Sequence, residues 1–566
     1  MTRVLARSLL AVAAAIAISI AAAPFLAALL SLRGDVRLIP DTAMRSAFVV
    51  SLEIGVVATV VATTLGTSFA LLVDGRRVAL RRLWLALAPG PLVVPPYLVA
   101  ASWIDLFGPA GRLSGPLGAL LGFPPHEPGE ARVGVLKALG FVYTAPSAGI
   151  VLGACAFPLV ALAVASAERR IDPRLLEVAR LARGRAGAWR IHAALLAPSI
   201  AGGALLAFAF ALADFAAPLV LRVRTLNEEV YSRASIEGEH DAGSAVAAGL
   251  PLLAAILIAA GLAAFFIARA RVAVDPSGEA RRFAPRPASR RACALSILVA
   301  LAALAPGLIF PVASMTVQAT TGPIAAPGDP FAPPSTDSPG AIGGTERGAR
   351  AAARRAWAVA GKDARSSLAI AATSACAAVA IGGLAARAAR SRRATALGTV
   401  IAAIPLAVPA PLAGAGLIAL LDRPLTARVY DSPAVLVIAH LARFLPIAWL
   451  LAHGALARID PSLEESAALA GAGPLRRAAR VVLPLAAPGL VAAWLAVYVL
   501  SCIEYGASVL VTPPGWPVLA NTVANSVHYG QNAEIAAVGL LLLAIVLAPL
   551  ALAGSVALVK TREVTT

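Results

Sequence analysis

Charge is scarce in this chain and uneven in sign. Only 14% of its 566 residues are Asp, Glu, Lys or Arg, with 30 acidic against 48 basic. A large soluble protein needs more charge than that to cover its surface. Cysteine is rarer still: Cys155, Cys293, Cys376 and Cys502 stand in or beside apolar stretches without paired spacing, so neither a disulfide framework nor a zinc set is implied. The six histidines are scattered, and no nucleophile elbow or paired-histidine motif occurs. A Gly-x4-Gly-Lys-Ser/Thr loop is also missing, since Gly361-Lys362-Asp363 fails both the spacing and the hydroxyl. The chain is therefore expected to have no catalytic residues, to hold no metal, and to bind no ATP in that way by itself.

What is present is apolar length. Hydrophobic residues make up 59% of the chain and the mean hydropathy is +0.82, which is membrane composition. Runs of about 20 apolar residues, each long enough for a hydrocarbon layer of about 30 Å, recur throughout. Twelve spans are expected, at 8–32, 47–73, 84–105, 147–167, 197–221, 245–268, 293–318, 367–386, 395–420, 434–456, 487–512 and 534–559. The first is too long for a cleaved secretory signal and reads as an uncleaved span. The fold class is thus an all-α polytopic membrane protein.

The net charge of +18 raises nucleic acid as a partner, but the basic residues fall where topology needs them. Arg76, Arg77, Arg81 and Arg82, the stretch 269–291, and Arg387, Arg390, Arg392 and Arg393 all lie in alternate inter-span segments. The positive-inside rule then puts both termini in the cytoplasm, with the lipid bilayer and not nucleic acid as the basic surface's neighbour. Arg347–Arg365 breaks this pattern on the outer side and reads as an amphipathic interfacial helix leading into the eighth span.

The spans are written twice. Arg-Arg-Ile-Asp-Pro from Arg169 and Ala-Arg-Ile-Asp-Pro from Ala457 form polar hinges between spans, in which Asp172 or Asp460 can cap a helix opened by Pro173 or Pro461. Gly184 and Gly471 follow where such a helix can end left-handed. Pro91 and Pro95 in the third span answer Pro405 and Pro409 in the ninth, Arg45-Ser46 answers Arg365-Ser366, and Pro158 answers Pro446. Pro198 and Pro488 each precede an acid by sixteen positions, Asp214 and Glu504. Two parallel six-span repeats follow: a first transmembrane domain at 1–268, a cytoplasmic linker at 269–292 and a second transmembrane domain at 293–566. Such halves enclose a pathway between them.

The second hinge carries Glu465-Ser466-Ala467, Gly471, Val481 and Leu483-Pro484. That set resembles the cytoplasmic loop of ABC importer permeases: Glu-Ala-Ala, three residues, Gly, nine residues, then Ile-x-Leu-Pro. The first hinge is degenerate: Glu177, Ala179 and Ile191 fit, Gly184 is displaced by one, and Ala193-Ala194 replaces Leu-Pro. With Trp103-Ile-Asp-Leu-Phe-Gly-Pro-Ala-Gly, Ala213-Asp-Phe, Thr512-Pro-Pro-Gly and His528-Tyr-Gly, the whole chain resembles fused twelve-span permeases of the ferric-iron and thiamine type.

The resemblance implies a multi-pass protein of the bacterial inner membrane with two copies of a cytoplasmic ABC ATPase seated on the hinges. It also implies a periplasmic or lipoprotein solute-binding protein on the other side, and ATP used by the partner subunit. Ferric iron is the expected solute; thiamine and small organophosphorus or polyamine solutes are carried by similar permeases. Short hinge helices need a partner in any case.

Several assignments stay double. Asp214 and Glu504 either line the pathway or are carboxylates held by a backbone donor or the interface. Carrying a coupling ion there would make the chain a secondary transporter. Pro91, Pro95, Pro405 and Pro409 mark either gating helices or packing kinks. Glu237-Gly-Glu-His-Asp241 reads as a solvated turn or loose hard-metal ligation, and the Pro/Gly-rich segment Gln318–Gly344 as an irregular external loop.

Overall fold

The computed structural model describes residues 42–108, 111–113, 140–236, 242–272, 286–287, 289–321, 348–389, 405–526 and 533–563, with positions 23, 26, 27, 395, 398 and 402. Apart from these positions, the expected first span, most of the 269–292 linker, the start of the ninth span, Gln318–Gly344 beyond Thr321, the Glu237–Asp241 turn and His528-Tyr-Gly lie outside the described residues.

Among the described residues, nine helices are long and apolar enough to cross a membrane, and they overlap the expected second, fourth to eighth, and tenth to twelfth spans. They are Thr42–Asp74, Ala145–Glu168, Arg174–Ala213, Gly243–Ala270, Arg290–Thr321, Ala349–Ala388, Ala434–Leu456, Pro474–Ile503 and Ala533–Ser555. The third span is not a continuous helix: Arg81–Val93 and Pro96–Phe107 meet at a bend of 95°. Pro95 is the cause. It takes an extended conformation (φ −56°, ψ 133°) ahead of Pro96, and neither proline has an N–H with which to continue the helix. Pro409 does the same (φ −55°, ψ 144°) ahead of the short apolar helix Ala410–Leu421 in the ninth span. The expected external helix is continuous with the eighth span, interrupted only by a non-helical residue at Ala360, with the Arg365 guanidinium 5.4 Å from the Trp357 ring. Among the described residues the one non-helical pairing is a two-residue parallel contact of Arg76–Arg77 with Arg286–Pro287.

The chain divides into two compact units, Pro40–Glu229 with Leu250–Gln318, and Met1–Ile39 with Val230–Gly249 and Ala319–Thr566. In the first, small residues let backbones touch. A Cβ on Gly66 would stand 2.6 Å from the Phe157 carbonyl oxygen, and one on Gly153 would stand 2.7 Å from that of Ala58. Close approach through small residues drives helix association in lipid, where there is little hydrophobic gain between helices. Phe69 and Phe157, 5.8 Å apart, fill the space beside this contact, with Val160, Val164, Leu196 and Leu304 around them. The seventh span, in the second half by chain order, packs in this unit. The Trp103 indole donates to the Pro306 carbonyl at 3.2 Å, and the Ser314 hydroxyl donates to Asp105 at 2.5 Å.

The second unit repeats the same contacts in a register one turn away from the expected one. Gly382 meets the backbone at Ala448 and Trp449 as Gly66 meets that of Phe157 and Ala161, and Ser367 accepts the Leu519 N–H as Ser51 accepts that of Leu226. Both pairs are offset by 316, whereas Arg45-Ser46 and Arg365-Ser366 are offset by 320. Close packing fixes the equivalence, and the arginines that open the spans do not. Because Gly66 has backbone within 2.6 Å and Gly382 only within 3.0 Å, Gly66→Ala is expected to destabilise the protein by about 1–3 kcal/mol and Gly382→Ala by less. Thermal unfolding in detergent checks the order; equal effects would contradict it.

Candidate functional site

Each hinge forms as its sequence dictates. Asp172 Oδ1 accepts the Arg174 N–H at 3.0 Å and Asp460 Oδ1 accepts the Ser462 N–H at 2.9 Å, so both helices begin on an aspartate cap with proline at the first position. The Ser462 N–H also holds the Asp460 carboxyl below its ordinary carboxylate range. The helices end at Gly184 (φ +67°) and Gly471 (φ +79°). After Gly471 the chain closes with the Ala472 N–H donating to the Ala467 carbonyl, and Pro474 restarts the helix. Gly184 interrupts an otherwise continuous Pro173–Ala213 helix.

Glu177 and Glu465 both stand exposed on these helices, as do Gly184, Gly471, Leu483 and Pro484. Ala179 turns inward and is buried, Ala467 and Ile191 are half-buried, and Val482 beside the Leu-Pro pair is buried. The motif therefore has an outward acidic position and an inward small one, as its helical spacing requires.

Two features were not apparent from the sequence. The first is a pair of leucines at matching places, Leu175 and Leu181 on the first hinge and Leu463 and Leu469 on the second. Leu181 is 83% and Leu469 91% exposed. Leucine repeated on a short polar helix was the available signal. The second is an ion pair tying each hinge to a neighbouring span. Arg169 reaches Asp74 at the end of the second span (2.8 Å), where Arg81 also binds the carboxylate (2.5 Å). Arg387, near the end of the eighth span, grips Glu464 with both guanidinium nitrogens at 2.6 and 2.7 Å. The polarity is reversed: the acid is on the span in one unit and on the hinge in the other. The first hinge has a further clamp, His192 to Glu168 at 2.5 Å, both buried, with Trp189 edge-on to the imidazole.

Asp214 and Glu504 occupy equivalent positions at the ends of their spans. Asp214 Oδ1 accepts the Ala217 N–H and Glu504 Oε1 that of Ala507, both at 2.9 Å, so each carboxylate caps the short helix that follows. This realises the backbone-donor alternative. Glu504 is also ion-paired with Arg443. Pro95 and Pro409 sit at helix breaks; Pro91 lies in the short helix Gly90–Val93, and Pro405 opens the described helical turn 405–407. Among the described residues no group of three or more His, Cys, Asp or Glu could hold a metal ion.

Residues 378–559 match the family described as binding-protein-dependent transport system inner membrane component. The matched segment contains the second hinge, Arg387, Arg443 and Glu504. A permease named for 2-aminoethylphosphonate transport in Salmonella paratyphi A is 32% identical over 145 residues, 25% of this chain and 54% of that protein. The correspondingly named protein of Salmonella typhi is also 32% identical over 145 residues, with the same coverage. The putrescine transport system permease protein of Escherichia coli K12 is 35% identical over 88 residues, 16% of this chain and 31% of that protein. The chain thus spans about half the length of the first of these relatives, and less of the last. The matched family consists of transport permeases of ABC importers, inner-membrane components that work with an ATPase and a solute-binding protein and are not enzymes.

The Arg387–Glu464 pair is half-shielded from solvent and bidentate, so Arg387→Glu is expected to loosen the second hinge by about 1–3 kcal/mol. Combining it with Glu464→Arg should restore hydrogen-exchange protection over 460–474. Failure of the double variant to recover would mean that the pair does not fasten the hinge.

Proposed function

We propose, from the match of residues 378–559 to ABC importer permeases, that the whole chain supplies both transmembrane halves of a binding-protein-dependent importer. Two copies of a cytoplasmic ATPase seat on the hinges at 172–184 and 460–474. The observation that carries this reading is the doubled hinge: an aspartate cap, an outward glutamate and two exposed leucines at the same helical positions in each unit. An exposed leucine on a short helix stabilises nothing until a partner covers it, and covering it contributes about 2 kcal/mol. The sequence places the hinges on the basic side of the spans, which supports a cytoplasmic partner and cytoplasmic termini.

The ATPase dimer closes on ATP that it binds itself, and its movement passes through the hinges. The ties from Arg169 to Asp74 and from Arg387 to Glu464 make each hinge move with its neighbouring span. The prolines at 95 and 409 leave the third and ninth spans jointed, and Pro91 and Pro405 lie beside those joints. The inward state gives way to the outward one when ATP and the loaded binding protein both favour the latter. One oxygen of Asp214 and one of Glu504 is committed to a backbone N–H, which supports this reading over ion-coupled transport.

The solute is read as a small charged molecule. Relatives named for an aminophosphonate and for a diamine support that class. Ferric iron drew on the resemblance to iron and thiamine permeases, and neither relative's name supports it.

Reconstitution in proteoliposomes tests the transport reading: uptake should require the ATPase, ATP and the binding protein. Uptake on an ion gradient with no ATPase present would overturn it. On the docking side, Glu465→Ala should weaken capture of the ATPase more than Glu177→Ala, because the second motif is complete. Leu469→Ala should weaken that capture by about thirtyfold, the equivalent of about 2 kcal/mol. Capture unaffected by Leu469→Ala, or lost more with Glu177→Ala, counts against the hinge assignment.

A further inference from the structure

The second unit holds a half-buried arginine and a buried histidine beside its Glu504 cap, whereas the first unit buries only the neutral Asn227 amide beside Asp214 among the described residues that bond to that turn. Arg443 lies nine residues into the helix Ala434–Leu456, about 14 Å from its start at 1.5 Å per residue. Its guanidinium pairs with Glu504 and lies 5.5 Å from the Phe444 ring. One turn away, His440 is buried, with Nε2 3.2 Å from the Ser508 hydroxyl. The Ser508 carbonyl accepts from the Thr512 hydroxyl, whose oxygen in turn accepts from the Asn521 amide at 2.8 Å. Among the described residues, His440 Nδ1 and Asn521 Oδ1 are buried with no hydrogen-bond partner.

The internal repeat provides the control. Counting from the paired prolines 158 and 446, Leu152 stands at the place of His440 and Cys155 at that of Arg443; counting from the paired acids, Pro218 stands at the place of Ser508. Asp214 nevertheless caps its helix with the same 2.9 Å bond that Glu504 makes. Capping therefore needs the carboxylate and nothing else in the cluster. An arginine and a histidine deep in a span are costly, and one half of this chain folds without them. Orphaned donors and acceptors in a buried polar group are costly as well, and a ligand can satisfy them.

Building on the importer reading, we infer that Arg443, His440 and Glu504 form a solute-recognition site in the second unit for a small zwitterion, an amine carrying an oxyanion. The oxyanion takes the guanidinium donors of Arg443 and the His440 ring nitrogen that has no partner. The ammonium group faces Glu504, whose cap oxygen stays on the Ala507 N–H. A fixed ion pair that opens to one ligand bearing both charges selects against solutes carrying only one, since each of those leaves a protein charge unpaired.

The test is equilibrium binding of radiolabelled 2-aminoethylphosphonate to the full chain in nanodiscs, with ethylphosphonate and 1,4-diaminobutane as competitors. The zwitterion should bind, and each competitor should be weaker by about tenfold or more, as loss of one charge-assisted contact requires. The double variant His440→Leu/Arg443→Cys, which copies the residues of the first unit, should lose the zwitterion by a similar factor while still capturing the ATPase. Glu504→Gln, which retains a cap acceptor, should lose the preference for the amine, and Asp214→Asn should change nothing. No binding by the wild type, or undiminished binding by the double variant, overturns the inference. If ATP-driven uptake of solutes persists alongside that result, the importer reading stands; if no solute is taken up with ATP, the importer reading itself has failed.

Discussion

A backbone crossing hydrocarbon has to satisfy its own N–H and C=O groups, because the bilayer core supplies no donor or acceptor and each orphan costs several kcal/mol. Long helices meet that demand along most of this chain. What differentiates one stretch from another is how it deals with the places where the helix must stop. Prolines at 95, 96 and 409 stop it by withholding an N–H, so the break leaves fewer donors to satisfy. Asp214 and Glu504 stop it by turning the chain and then capping the next short helix with a carboxylate. Asp172 and Asp460 use the same device outside the spans, where the hinges begin. The hinge and proline positions with a proposed role lie at or next to one of these interruptions, while His440 and Arg443 reach the Glu504 turn from within a neighbouring helix.

The hinges show how a local cap becomes a mechanical part. A cap fixes where a helix begins, but a lever also needs an attachment to what it moves. Arg169 with Asp74, and Arg387 with Glu464, supply that attachment between residues far apart in the chain. The reversed polarity is informative. If the pairs served a specific charge-recognition role, the sign would matter; since either sign is found, the requirement is a short, directional contact between hinge and span. A partly shielded, bidentate arginine–carboxylate pair meets that requirement better than packing does, because it fixes orientation as well as distance.

Legibility in the sequence followed the range of the interaction. Caps, proline breaks and left-handed glycines are set by neighbours within a turn or two, and these were readable: Asp172, Asp460, Gly184, Gly471, Pro95 and Pro409 act as their local chemistry indicated. The spans were readable because apolar length is a property of a continuous stretch. The ion pairs were not, since nothing local distinguishes Glu464 from Glu465, yet one grips Arg387 and the other faces outward. The repeat register is not legible locally either, because Arg45 and Arg365 look alike while Gly66 and Gly382, which make the equivalent contacts, are two among many glycines. The packing of the seventh span beside Trp103 and Asp105 is long-range in the same sense.

Where the second unit has Leu456 before its hinge and buried Val482 after it, the first has Glu168 and His192, bonded to each other at 2.5 Å and both buried. The stretch that follows is two residues shorter and carries Ala193-Ala194 where the second has Leu483-Pro484. Apolar residues and a proline in the second unit thus stand where the first has a hydrogen-bonded clamp followed by small residues. A buried imidazole–carboxylate contact holds one geometry, because separating the partners leaves both unpaired. The loss of the Leu-Pro pair therefore does not by itself imply a weakened hinge. It implies a hinge held rigidly at its root, so that the difference between the two units lies in how each yields as well as in how tightly each is gripped.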